Sequence, residues 1–209
     1  MGGMGQTGAT RGRPRSFDRD AALVAATRLF WERGYAATSV GELTEAMGIR
    51  PASLYAAFGD KRTLFEEAVA AYGRTPVGAF MGRALEEEPT AYGAFARILR
   101  EAARIYADPS HPAGCMTITA ATNIAPQDAE VGTFLRELRN ANLVAWEARL
   151  RTARRTGELP PDADPEALAG YFATVIQGMS QRSCDGAGAA ELAAIAELAL
   201  AAWPGRREE

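Results

Sequence analysis

Cysteine and histidine are nearly missing from this 209-residue chain: Cys115 and Cys184 are its only thiols and His111 its one imidazole. Structural zinc takes about four nitrogen or sulfur ligands at close spacing. Neither cysteine stands in a CxxC or Cys/His spacing, so no metal site is expected. Catalytic motifs are missing as well, with no GxSxG and no P-loop. His111 and Cys115 stand four apart, but Pro112 and Gly114 break any helix between them. An enzyme is therefore not expected, and no cofactor. No apolar run approaches the roughly 18 residues that span a bilayer, so no membrane partner is expected. No leader-like apolar stretch with a cleavage site opens the chain. The expectation is a cytoplasmic protein with reduced thiols. Aromatics make up only 8% of residues within a 47% apolar share. That share leans on alanine, which favours helix.

What is present is charge asymmetry. The net charge is −3, yet residues 11–62 hold nine basic side chains against six acidic ones, a local +3. The remainder holds 14 basic against 20 acidic, or −6. A basic end on an acidic body suggests a polyanionic partner at that end. Residues 1–17 read as a disordered N-terminus carrying a basic arm, Arg11-Gly-Arg13-Pro-Arg15. Residues 18–60 form a first unit and 61–209 a helical body.

Helical periodicity dominates from Asp18 onward. Asp18 caps a helix that Gly34 ends. Ser39 caps the next, with Glu42 placed for a capping box, and Gly48 stops it. Pro51 suits the first turn of a third helix, and Asp60 caps a fourth. Helices follow over 76–88, 90–107, 114–122, 128–156, 165–182 and 189–203. The segment 114–122 is nearly uncharged and so expected to be buried. There is no convincing strand and no repeat. The fold class is all-α, about nine helices in total.

Two short helices joined by a tight glycine turn and braced by a preceding helix form a helix-turn-helix pattern. Its second short helix enters the DNA major groove. The helix opening Arg50-Pro51-Ala52-Ser53 is small and nearly uncharged at its N-terminal end, which suits close approach to base edges. Ala52 can touch a thymine methyl, and Ser53 a base edge or a phosphate. Tyr55 offers its hydroxyl to a phosphate, and Arg50 reaches a base or a phosphate. Lys61 and Arg62 grip the backbone at the next helix start.

The run Arg19 to Tyr72 resembles the N-terminal domain of the tetracycline-repressor (TetR/AcrR) family of bacterial transcription regulators. The resemblance rests on Ala21-Ala22, Leu29-Phe30, Gly34-Tyr35, Thr38-Ser39-Val40, Leu43 and Ala46-Met47-Gly48-Ile49. It continues through Ser53-Leu54-Tyr55, Phe58-Gly59-Asp60-Lys61 and Leu64. Asp164-Pro165-Glu166-Ala167-Leu168, Gln177-Gly178 and the stretch Leu192 to Trp203 resemble the family's last two helices. The resemblance implies phosphate contacts from Thr38, Ser39 and Lys61, and a groove lining of Arg50, Pro51, Ala52, Ser53 and Tyr55. It allows further contacts from Arg13 and Arg15.

One helix-turn-helix reads few base pairs, so a two-fold homodimer on a near-palindromic double-stranded DNA operator is expected. The resemblance makes helices 165–182 and 189–203 the dimerising pair, through Leu168, Phe172, Val175, Gly178, Met179, Leu192, Ile195, Ala199 and Trp203. It also implies a pocket for a small-molecule effector among the middle helices. Candidate lining residues are Tyr92, Phe95, Cys115, Met116, Thr119, Asn123, Trp146, Tyr171 and Gln177. Two mechanisms follow: a repressor released by its effector, or a thiol sensor acting through Cys115 with the same DNA reader.

Overall fold

A computed structural model describes residues 17–120 and 124–205. The described residues form ten α-helices and no strand: α1 (Arg19–Arg33), α2 (Val40–Ala46), α3 (Pro51–Phe58), α4 (Lys61–Gly73), α5 (Pro76–Glu87), α6 (Ala91–Tyr106), α7 (Met116–Thr119), α8 (Ala129–Thr156), α9 (Pro165–Cys184) and α10 (Ala189–Ala201). A 3₁₀ turn, Pro126–Asp128, precedes α8.

The helix starts follow from capping. Free N–H groups at a helix N-terminus need acceptors, and short polar side chains supply them. Asp18 accepts from the Asp20 and Ala21 amides, and Asp60 from Thr63. Ser39 and Glu42 exchange bonds in a complete capping box. Thr75, Thr90 and Asp164 cap α5, α6 and α9. Gly34 ends α1 with φ +79°, a value costly for any residue with a Cβ.

Two packed regions result. Phe30, Tyr35, Leu43, Leu54, Phe58, Leu64 and Phe65 are buried and fill a core among α1–α4. Phe65 stands edge-on to Phe30 and Tyr35, at 5.0 and 5.1 Å between ring centroids. The expected boundary after residue 60 thus falls in front of a helix whose first half completes this core. In the body, α6 lies between α5, α9 and α10, and α8 packs along α9. Phe95 touches Trp146, Phe172 and Trp203 at 4.9–5.7 Å.

Two expectations shift. The helix expected over 114–122 spans only Met116–Thr119 among the described residues. The sequence Asp108-Pro-Ser-His-Pro112 bends the chain into it, and Gly114 turns at φ +72°. The second shift concerns the helices expected to dimerise. Phe172, Met179, Leu192, Ala199 and Trp203 are all buried inside their own chain. The face that α9 and α10 turn outward carries Tyr171, Gly178 and Leu198, with Leu168, Val175 and Ile195 at its half-buried margin. The apolar stripe was wide enough to serve a core, and the core took its centre.

Candidate nucleic-acid interface

The short helix α3 is held from below. Leu54 and Phe58 anchor α3 in the core, at 0 and 2% exposure. That leaves Arg50, Pro51, Ala52, Tyr55 and Ala56 outward and Ser53 half-buried. Tyr55 is 51% exposed, so its ring is not needed by the core. No acidic or basic side chain lies within α3 itself. Its N-cap, Arg50, makes no side-chain capping bond, and unsatisfied amides at a helix start attract phosphate.

A residue outside the motif fixes the far end of α3. The Arg19 guanidinium lies 4.3 Å from the Phe58 ring centroid and donates to the Ala57 carbonyl at 3.2 Å. It also meets both Glu67 carboxylate oxygens, at 2.7 and 2.9 Å. One side chain thus ties α1, α3 and α4 together. The signal in the sequence was slight, a lone arginine in the first turn of α1.

The expected phosphate ligands are unequally placed. Lys61 is half-buried, with Nζ 4.1 Å from the Tyr35 ring centroid. Burial lowers its pKa from the ordinary lysine value, against the pull of Asp128 and Glu42. Ser39 is exposed, but its hydroxyl donates to Glu42 Oε2 at 2.7 Å, and Glu42 also meets Arg33 at 2.6 Å. Thr38 is turned inward at 1% exposure, its hydroxyl donating to the Gly34 carbonyl at 2.7 Å. Its side chain braces the α1–α2 turn. Arg62 bends back toward the body, pairing with Glu130 at the start of α8 and with Glu66 at 3.8 Å. Arg13 and Arg15 lie outside the described residues.

Contacts between this head and the body come from α1 and the turn after it as well as from α4. Trp31 stacks on His111 at 4.7 Å, and Arg28 donates to the Ser110 carbonyl at 3.1 Å. The Tyr35 amide donates to the carbonyl of Ala120, just past α7, at 3.4 Å.

Behind α7 opens a cleft of about 550 Å³ among α4, α5 and α8, lined by Tyr72, Met81, Cys115, Thr117, Phe134 and Asn142 among others. Met81, Thr117 and Asn142 also line a narrow recess of about 30 Å³, which Arg139, Trp146 and Gln177 close. Of the expected effector residues, Cys115, Trp146 and Gln177 line this space. Tyr92 and Phe95 sit instead in the aromatic cluster around Trp203. Met116 is fully buried, and Thr119 faces a separate hollow beside Trp31. Tyr171 is 39% exposed on the outer face of α9. Asn123 lies outside the described residues. Arg139 and Asn142 escaped notice, although the stripe Leu135, Arg139, Asn142, Trp146 at steps of four, three and four was a legible signal.

The Cys115 sulfur is buried, accepting from the Tyr72 hydroxyl at 3.5 Å and lying 3.2 Å from that of Thr117. Burial pushes the Cys184 thiol up. Among the described residues no cluster of three or more metal-ligating side chains occurs, and no helix is long and apolar enough to cross a membrane.

An exposed, charge-poor short helix on a three-helix brace, joined to a cleft-bearing helical body, defines a helix-turn-helix transcription regulator. The model of bacterial regulatory proteins of the tetR family matches residues 22–68, and that of the tetracyclin repressor-like C-terminal domain residues 78–197. The chain belongs to the TetR family. It is similar to the HTH-type transcriptional repressor ComR of Escherichia coli, with 34% identity over 93% of each chain. It is also similar to the repressor BdcR of Escherichia coli, with 30% identity over 90% of each. Among solved structures, a cysteine mutant of the TetR family regulator CifR complexed with 26-bp double-strand operator DNA is 40% identical. Its TM-score is 0.88, covering 92% of this chain and all of that one.

Proposed function

We propose that this protein is a homodimeric repressor that seats α3 in the major groove of a near-palindromic operator and leaves it when a small molecule fills the cleft behind α7. The carrying observation is the outward face of α3: small or aromatic groups free of charge, flanked by Arg50 and Lys61 and locked from behind by Arg19. The repressor names of the two Escherichia coli relatives and the operator complex of CifR support it. Pro51, Ala52, Ser53 and Tyr55 face the bases and sugar edges, and Lys61 holds a phosphate. Ser39 reaches phosphate by giving up Glu42. Arg62 is committed to Glu130 and plays a lesser part.

The dimer forms through the outward face of α9 and α10, holding two copies of α3 about 34–36 Å apart, one turn of B-DNA. An effector that prefers another spacing weakens DNA binding by its differential affinity. The Cys115 sulfur, buried against two hydroxyls, suits a cleft wall better than a thiol sensor. Selection of bound sites from random duplex DNA tests the reading. Two inverted half-sites one helical turn apart are expected, and recovery of unrelated sequences, or of single half-sites only, would overturn it.

A further inference from the structure

One wall of the recess at the end of the cleft is a cation, Arg139. Arg139 is half-buried on the inner side of α8, and its Nη1 donates to the Thr117 carbonyl at 2.8 Å. A guanidinium carries five N–H donors, so most of its fork is left over. Among the described residues no carboxylate lies within 4.0 Å of it. Some arginines of the body are paired with carboxylates, while others, such as Arg149 and Arg154, donate to backbone carbonyls as Arg139 does but do not line the recess. Arg97 meets Glu87, Glu88 and Glu101, Arg100 meets Glu197, and Arg182 meets Glu191. Burial, with Arg136 adding repulsion, holds the Arg139 pKa below the ordinary guanidinium value. Its spare donors border the apolar wall made by Trp146, Ile118 and Ile176, where an anion entering the recess would meet a charged partner.

The dimensions narrow the choice of anion. The recess holds about 30 Å³, and one water-sized group needs roughly 10–15 Å³. The two oxygens of a carboxylate fit that space, and the planar guanidinium fork matches them. Asn142 and Gln177 stand on the same rim with amide donors. Beyond Met81 and Thr117 the space widens to about 550 Å³ between Val69, Phe134 and Leu138, a volume that takes a small apolar body.

From this we infer that the effector is an organic monocarboxylate, its charged end held by Arg139 in the recess and its hydrocarbon part lying in the cleft. The inference rests on the effector-responsive reading above and adds the chemical class. It also supplies a route to the head. The Arg139 fork that would take the carboxylate already holds the Thr117 carbonyl in α7, and the residue after α7, Ala120, accepts from the Tyr35 amide at the end of α1. A carboxylate that shifts the Arg139 guanidinium as it binds moves the Thr117 carbonyl with it, and so the segment against which the head rests.

Calorimetric titration of the full-length protein at neutral pH tests this with butanoate, hexanoate, octanoate and decanoate, each beside its alcohol and primary amide. At least one acid should bind about tenfold or more tightly than its neutral partners. The preference should vanish in Arg139→Gln and survive in part in Arg139→Lys. An alcohol or amide that binds as well as its acid, a series in which no acid binds, or an unchanged preference in Arg139→Gln each overturns the inference. The wild-type comparison of acid with alcohol needs no variant to fold. Operator affinity, followed by fluorescence anisotropy in the same samples, separates the two claims. An acid that binds through Arg139 and leaves operator affinity unchanged refutes the switch but not the site. Release of operator by the alcohol as readily as by the acid refutes the site but not the switch.

Discussion

Lys61 and Arg62 are neighbours of like charge with different tasks. Lys61 rests over Tyr35 beside α3, on the side proposed to meet DNA, and Arg62 reaches Glu130 in the body. Lys61→Ala should weaken binding at every DNA sequence and lower the slope of log affinity against log salt by about one. Arg62→Ala should leave that slope nearly unchanged. Titrations across a salt series check both, and equal slope changes would show that Arg62 swings forward on DNA. Arg19 acts at a distance from the groove. Its cation–π contact and its ion pair with Glu67, made through one guanidinium nitrogen, are each worth about 1–2 kcal/mol in a half-buried setting. Arg19→Ala should lower head stability by that order and speed amide exchange along α3. Exchange confined to α1 would remove Arg19 as the brace.

At the scale of elements, the caps decide where helices start and how they respond to acid. Backbone donation from Thr63 holds the Asp60 carboxyl below its usual range, and donation from Ser39 does the same for Glu42. A depressed folded value means stability that is present above the unfolded pKa and lost as pH falls through the folded one. The head should therefore weaken as pH drops below about 4, the ordinary carboxylate range. Asp60→Asn with Glu42→Gln keeps both capping geometries and should flatten that loss, read as the urea midpoint against pH. The α4–α5 corner has a different constraint. A Cβ on Gly78 would fall 2.1 Å from the Tyr72 carbonyl oxygen, so Gly78→Ala must open the corner. A loss of about 1–3 kcal/mol is expected by thermal unfolding.

For the whole molecule, the aromatic cluster around Phe95 holds α6, α8, α9 and the end of α10 as one body. Phe95→Ala should cost about 3–5 kcal/mol without changing which DNA sequence is preferred. The proposed dimer rests on a different surface. Leu198 is 74% exposed on α10 and gives nothing to its own core. Leu198→Glu should leave a folded monomer in sedimentation experiments and lose operator affinity. A dimer that persists would place the two-fold axis elsewhere.

The N-terminal head was legible almost residue by residue, because its signals are local. Asp18, Ser39 with Glu42, and Asp60 start helices through bonds to their own near neighbours, and Pro51 through its fixed φ. Gly34 and Gly48 end them through φ values that other residues resist. The outward side of α3 could be read because Leu54 and Phe58 turn the opposite side into the core. Tertiary structure alone decided what depends on partners distant in sequence. It turned Thr38 inward, drew Arg62 to Glu130 and gave the centre of the α9–α10 stripe to the chain's own core. It also set Arg139 in a recess where, among the described residues, no carboxylate pairs with it. A pattern of apolar residues states that a face will be covered but not by what. Only packing assigns the cover, since a side chain's energy depends on whatever neighbour the folded chain brings within a few ångströms.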